Sequence, residues 1–100
     1  MYLVAASDDS RVYFFDRDRG TPLWSYETGG EVNSVAISSD GTYAAAGSED
    51  GTVYLFTRDD RVPQWSYATD YRVESVSISS DGNYVAAGSG HTYLLAHDGT

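Results

Sequence analysis

Residues 32–67 read VNSVAISSDGTYAAAGSEDGTVYLFTRDDRVPQWSY, four short apolar runs separated by three turn signals. The first run, 32–38, ends at Ser39-Asp40-Gly41, and Asp-Gly between apolar runs is the strongest short-range hairpin signal. Residues 42–47 (TYAAAG) follow, then a second hairpin signal at Glu49-Asp50-Gly51 and a third run at 53–56 (VYLF). A loop is predicted at 58–61, after which Pro63 precedes the fourth run, 64–67 (QWSY). A shift of 41 residues superimposes the chain on itself: Val12 falls on Val53, Trp24 on Trp65, Val32 on Val73 and Tyr43 on Tyr84. In all, 23 of the 37 positions from Val12 to Ser48 recur identically.

On either side of this stretch the same pattern is only partly present. Residues 2–6 (YLVAA) align with 43–47, 11–16 (RVYFFD) with the third run, and 23–27 (LWSYE), opened by Pro22, with the fourth. Proline cannot donate to a ladder, so a strand start on an outer edge suits it. Beyond residue 72, runs at 73–79, 84–88 and 92–96 repeat the first three, with a turn beginning at 97–100. Helix is not predicted, because no segment carries a 3.6-residue apolar period. In 32–38, Val32, Ser34 and Ala36 alternate with Asn33, Val35 and Ile37, which leaves two half-apolar faces and suits an inner strand packed on both sides. Four strands per period of about 40 residues is the signature of a propeller blade. The fold class is therefore all-β, built of antiparallel four-stranded β-propeller blades. With strands lettered a to d from the centre outward, 1–28 supplies b-c-d, 32–68 supplies a-b-c-d and 73–96 supplies a-b-c, ten strands and about two and a half blades. Four to eight blades usually close a ring. The remaining blades would come from a longer chain or from other copies, and the incomplete outer units favour the longer chain.

Composition excludes several classes. Six arginines and no lysine face eleven aspartates and four glutamates, giving a formal net charge of −9. Such a surface repels nucleic acid and anionic membranes. It suits either an ordinary acidic surface or one adapted to high salt, where screening relieves self-repulsion. There is no cysteine, hence no disulfide or thiolate metal site. No apolar run reaches the ~18 residues of a spanning helix, and the N-terminus lacks the basic and apolar regions of a secretory leader.

Two repeat families share these residues. Val-x-Ser-Val-x-Ile-Ser-x-Asp-Gly-x-Tyr-x-Ala-Ala-Gly-Ser, ahead of Asp50-Gly51-Thr52-Val53, resembles the WD40 repeat. Asp50-Gly51-x-Val53-Tyr54, with Leu23-Trp24 or Gln64-Trp65 and then Thr28-Gly29-Gly30, is similar to the pyrroloquinoline-quinone-type repeat of quinoprotein propellers. The chain departs from both. Phe15-Asp16, Phe56-Thr57 and Leu95-Ala96 stand where the WD40 resemblance calls for Trp-Asp. The Gly-His ahead of strand a is missing, so that family's His-Asp-Ser network cannot take its usual shape. Vicinal cysteines and a recognisable calcium and quinone site are missing too, so the quinoprotein resemblance implies the fold without the cofactor, and no cofactor or metal is expected.

Catalysis has little to stand on: there is no lysine for a Schiff base, no cysteine, and no strained serine turn with triad partners. His91 and His97 alone make a weak metal pair. Asp16-Arg17-Asp18-Arg19-Gly20 opens like a calcium loop but lacks the closing glutamate and reads as a solvated hairpin. Trp24 and Trp65 share one blade position and are read as packing between blades. Recognition is expected on loops that vary over a rigid repeated frame. The Ser-Asp-Gly turns are identical, whereas the d–a loops (Gly29-Gly30-Glu31 against Asp70-Tyr71-Arg72) and the b–c loops (Asp8-Asp9-Ser10, Glu49-Asp50-Gly51, Gly90-His91) differ. Glu31, Asp50, Asp70, Tyr71, Arg72 and His91 are thus the candidate interaction residues for a protein or small ligand. Tyr71 with Arg72 is the strongest pair by residue type.

Overall fold

A computed structural model of the chain describes residues 2–6, 9–16, 22–58, 60–69, 71–89 and 91–96, with the backbone alone at 60, 61, 89 and 91–96. Ten strands form in chain order: β1 (Tyr2–Ala6), β2 (Arg11–Asp16), β3 (Pro22–Glu27), β4 (Val32–Ile37), β5 (Tyr43–Ser48), β6 (Thr52–Thr57), β7 (Asp60–Ala68), β8 (Ser75–Ile78), β9 (Tyr84–Ser89) and β10 (His91–Ala96). Every pairing is antiparallel, in three meanders ordered β1-β2-β3, β4-β5-β6-β7 and β8-β9-β10. The partial β-propeller fold expected from the 41-residue period is the fold observed. No helix among the described residues is long and apolar enough to cross a membrane.

Both apolar faces of the middle sheet are used. Ala46, Tyr54 and Phe56 point towards the first sheet, where they meet Val12 and the first valine of β4, Val32, with Val4, Trp24, Tyr26 and Val35 around them. Ala45, Val53 and Leu55 point the other way and meet Val73, Val76, Val85 and Ala87 of the third unit, flanked by Tyr43, Trp65, Tyr67 and Ile78. Alternating side chains on one strand therefore serve two cores. That is why β5 and β6 read as nearly continuous apolar runs, buried at Ala44, Ala45, Ala46, Val53, Leu55 and Phe56. Trp24 links sheets as expected: its ring lies 5.3 Å from Phe14 and 5.0 Å from Phe56, and its Nε1–H donates to Arg58 O at 2.9 Å.

Strand bounds differ from the sequence reading in three places. β7 starts at Asp60, so much of the loop predicted at 58–61 is strand, and Pro63 lies inside it. The register steps between Leu55 and Thr57, leaving Phe56 without a partner on β7, and that bulge absorbs the extra length. An outer edge strand tolerates a missing N–H, so the proline does not end it. β8 is shorter than 73–79, although Val73 N–H still donates to Ser48 O and Glu74 N–H to Gly88 O. β10 begins at His91, which pairs with Ser89 as part of the ladder and is not a loop residue.

Hairpin chemistry repeats along with the strands. Asp40 Oδ1 accepts from Ser38 Oγ at 2.9 Å and from Thr42 N–H at 2.9 Å, with Gly41 at φ 74°; Asp81 does the same with Ser79 and Asn83, beside Gly82 at φ 76°. In the b–c turns the left-handed position is Gly51 (φ 84°) in one unit and Ser10 (φ 72°) in the other. A left-handed residue with a Cβ costs about 1–2 kcal/mol, partly offset because glycine loses more entropy on folding. Ser10→Gly is therefore expected to stabilise by about 0.5–1 kcal/mol, raising the melting temperature by roughly 2–6 °C in a calorimetric scan.

Candidate interaction face

At one end of the sheets the turn at Glu49-Asp50-Gly51 is held between two connections, residues 28–31 on one side and 69–73 on the other. Glu49 N–H donates to Glu31 O at 2.8 Å, and Gly29 N–H donates to Asp50 Oδ2 at 3.0 Å. On the far side Thr69 N–H and Oγ1 reach Gly51 O at 2.7 and 2.8 Å, and Thr69 Oγ1 also reaches Tyr71 O at 2.6 Å. The middle sheet's turn thus lies together with the connections that lead in from the first sheet and on to the third.

A buried polar knot lies beneath it. Ser48, fully buried, has its hydroxyl 3.1 Å from Gly30 O and 3.3 Å from Thr28 Oγ1, and accepts from Asp50 N–H at 3.2 Å. Thr28 in turn bonds Gly30 O and, at 3.0 Å, Ser10 O. Tyr54 Oη donates to Asp50 Oδ2 at 2.6 Å, and Thr52 N–H donates to Oδ1 at 2.9 Å. Asp50 therefore uses both carboxylate oxygens inward, tying its own sheet to the connection that precedes it. Tyr13 and Asp9 make the same Asp-x-x-x-Tyr bond at 2.6 Å in the first sheet. In the third unit Tyr93 pairs with Ala87 as Tyr54 pairs with Ala46, but the turn before it is two residues shorter and its sequence, residues 89–91, holds no aspartate, so the pair does not recur there. Thr28 and Ser48, not among the candidate residues, recur as Thr69 and Ser89 at the 41-residue step, and that recurrence is the signal that could have found them.

The electrostatics follow from this geometry. Burial pushes the Asp50 carboxyl up, but hydrogen bonds from Tyr54, Thr52, Gly29 and Ser48 outweigh it and leave the group below its ordinary 3.8. Burial first, and then the bond to Asp50, raise the Tyr54 phenol above its ordinary 10.0. Folding thus favours ionised Asp50 and neutral Tyr54. The carboxyl's contribution is complete above about pH 4 and is lost as pH falls through its lower folded value. The phenol's contribution is complete below about pH 10 and is lost as pH rises towards its higher folded value. Asp50→Ala is expected to cost about 2 kcal/mol at neutral pH, because hydrogen bonds to a charged group are lost and the Tyr54 hydroxyl is orphaned. In urea titrations that difference should shrink below pH 4 and again above pH 10. A pH-independent difference would detach the effect from this pair.

Of the remaining candidates, Glu31, Tyr71 and Arg72 are all exposed on the same end, Tyr71 at 61%. Arg72 Nε lies 3.7 Å from Glu74 Oε1, an exposed pair of little energetic weight. Asn33, Glu49, Arg72 and Glu74 line a shallow cavity of about 350 Å³, with Asn33 Nδ2 anchored to Val73 O at 2.9 Å. Asp70 and the His91 side chain lie outside the described residues, as do residues 17–20 of the calcium-like loop and His97. Among the described residues no three His, Cys, Asp or Glu side chains converge as metal ligands.

The WD domain, G-beta repeat family matches residues 20–57 and 62–100. The chain belongs to the WD40 repeat family. The first match runs from β3 through β6 and the second from β7 through β10, so each WD40 repeat takes its first strand from one sheet and three from the next. Ahead of strand a, where the WD40 pattern calls for Gly-His, the Gly29 backbone N–H donates to the turn aspartate Asp50. A search of curated proteins returns no match.

Proposed function

We propose that this WD40 chain is a non-catalytic scaffold that recognises a protein partner through the b–c/d–a end of its blades. The observation that carries the reading is the division of labour at that end. Asp50, Ser48, Thr28 and Thr69 fix the main chain, while Tyr71 and Arg72 stand exposed beside a polar cavity on it. A rigid frame with an exposed aromatic and an arginine is the arrangement in which binding energy concentrates. Asp50, from the original candidates, then acts as a positioning residue, with Glu31, Tyr71 and Arg72 as contact residues; Asp70 and His91 are carried with them from the loop pattern alone.

Crosslinking from a photoreactive group installed at Tyr71, followed by affinity measurement on the captured partner, tests the reading. Tyr71→Ala with Arg72→Ala is expected to weaken that partner by about tenfold or more, equivalent to losing one good anchor. Unchanged affinity would overturn it. The competing reading, part of a quinone-dependent oxidoreductase propeller, would instead show cofactor absorbance after addition of pyrroloquinoline quinone and calcium.

A further inference from the structure

The polar cavity beside Arg72 has a one-sided chemistry. Its described lining is Asn33, Glu49, Arg72 and Glu74, which come from β4, the turn after β5 and the connection into β8. Asn33 Nδ2 donates to Val73 O at 2.9 Å, and a carbonyl can only accept, so this bond fixes which way round the carboxamide sits. The acceptor Oδ1 is the end left for a ligand. Ionised Glu49 and Glu74 offer acceptors alone. Arg72 is the one donor-rich side chain on the described lining, and its Nε already lies 3.7 Å from Glu74 Oε1.

We propose, resting on the loop-face reading above, that this cavity takes the guanidinium of an arginine on the partner, so that the docking segment is basic. A guanidinium has five N–H donors in one plane and no acceptor, the complement of such a lining. It is also more weakly hydrated than an ammonium, so a shallow site takes it from water at less cost. Charge points the same way. The described lining carries one more negative than positive charge, Glu31 is exposed at the same end, and the chain as a whole carries −9. That field draws a cationic segment in and holds an acidic one off. The fold does not consume the two glutamates. Both are exposed, and Glu49 is tied to Glu31 through its backbone N–H and not its carboxylate. Asp50, next to it on the same turn, is the contrast: both of its oxygens are occupied by Gly29, Thr52 and Tyr54.

The test is titration of the intact chain with the peptide Gly-Ser-Arg-Ser-Gly, blocked at both ends and followed by backbone amide shifts. Saturable binding is expected, with the largest shifts at Asn33, Glu49, Arg72 and Glu74. Citrulline in place of the arginine keeps the shape and loses the charge, and should weaken binding about tenfold or more; lysine should weaken it severalfold. Free arginine should bind poorly, because its α-carboxylate meets the same acidic end. Glu49→Gln and Glu74→Gln should each weaken the arginine peptide severalfold, and together about tenfold or more, in chains that stay folded because both side chains are exposed. Absence of saturable binding, shifts on another face, equal binding by the citrulline, lysine or free-arginine probe, or indifference to the double variant would each overturn the proposal. If the partner captured at Tyr71 still loses affinity through Tyr71→Ala with Arg72→Ala in those cases, the loop-face reading stands and the arginine assignment alone fails.

Discussion

Phe56→Ala is expected to remove about 3–5 kcal/mol of stability, the range for emptying a buried aromatic site. Phe56 is fully buried, on β6 of the middle sheet, and faces the first sheet. Its ring centroid lies 5.0 Å from Trp24, 5.3 Å from Tyr26 and 6.1 Å from Tyr54, so truncation withdraws the shared neighbour of three rings. Collapse cannot easily refill the space. Trp24 is held by its bond to Arg58 O and Tyr54 by its bond to Asp50, which leaves both rings little room to move inward. A domain of 100 residues has about 5–15 kcal/mol in total. From the middle of that range the variant should lose roughly a third or more of the total, seen as a urea midpoint lowered in the same proportion. Retention of nearly all of the wild-type midpoint would mean that the two sheets do not depend on this cluster.

The strands and their order were legible because both are local. A period of 2 within each run, an Asp-Gly or Pro between runs and a 41-residue self-match are properties of the chain alone. Three sheets follow from them without any knowledge of contacts. The exceptions are instructive. Pro63 looked like a strand start, but β7 runs through it, because an edge position and a bulge at Phe56 remove the penalty that would apply inside a sheet. His91 looked like a loop residue because it lies between the runs at 84–88 and 92–96, yet its backbone pairs with Ser89.

The candidate face was legible only in outline. Loop variability pointed to Glu31, Tyr71 and Arg72, all exposed on one end. It could not separate them from Asp50, whose carboxylate turns inward to a main-chain donor 21 residues away. A sequence does not show which main-chain donor a turn carboxylate will meet. For the same reason Gly41 and Gly82 read as turn glycines alone. Their second role, as platforms for Tyr2 and Tyr43, depends on how sheets stack, which no local pattern encodes.

Gly47 and Gly88 occupy the same position in successive repeats, and the same substitution should have opposite outcomes there. Gly47→Val puts a Cβ into Val73 Cγ1 and against Val76 Cγ1, both side chains of the fully packed core between the second and third sheets. Neither valine can step aside: Val73 is fully buried and tied by its N–H to Ser48 O, and Val76 is tied to Ser34. The strain must appear as separation of the sheets, at or beyond the upper end of the roughly 1–3 kcal/mol that overpacking costs. At Gly88 the nearest atom to a new Cβ is Ser75 Oγ at 3.1 Å, on the open side of the third sheet. A serine hydroxyl can rotate away, and valine is a better strand former than glycine. Gly88→Val is therefore expected to be neutral or slightly stabilising in a urea titration, while Gly47→Val shifts the midpoint down steeply. Equal losses at both positions would place the cost in the backbone of the strand itself. A large loss at Gly47 alone would locate it in the stacking of one sheet upon the next.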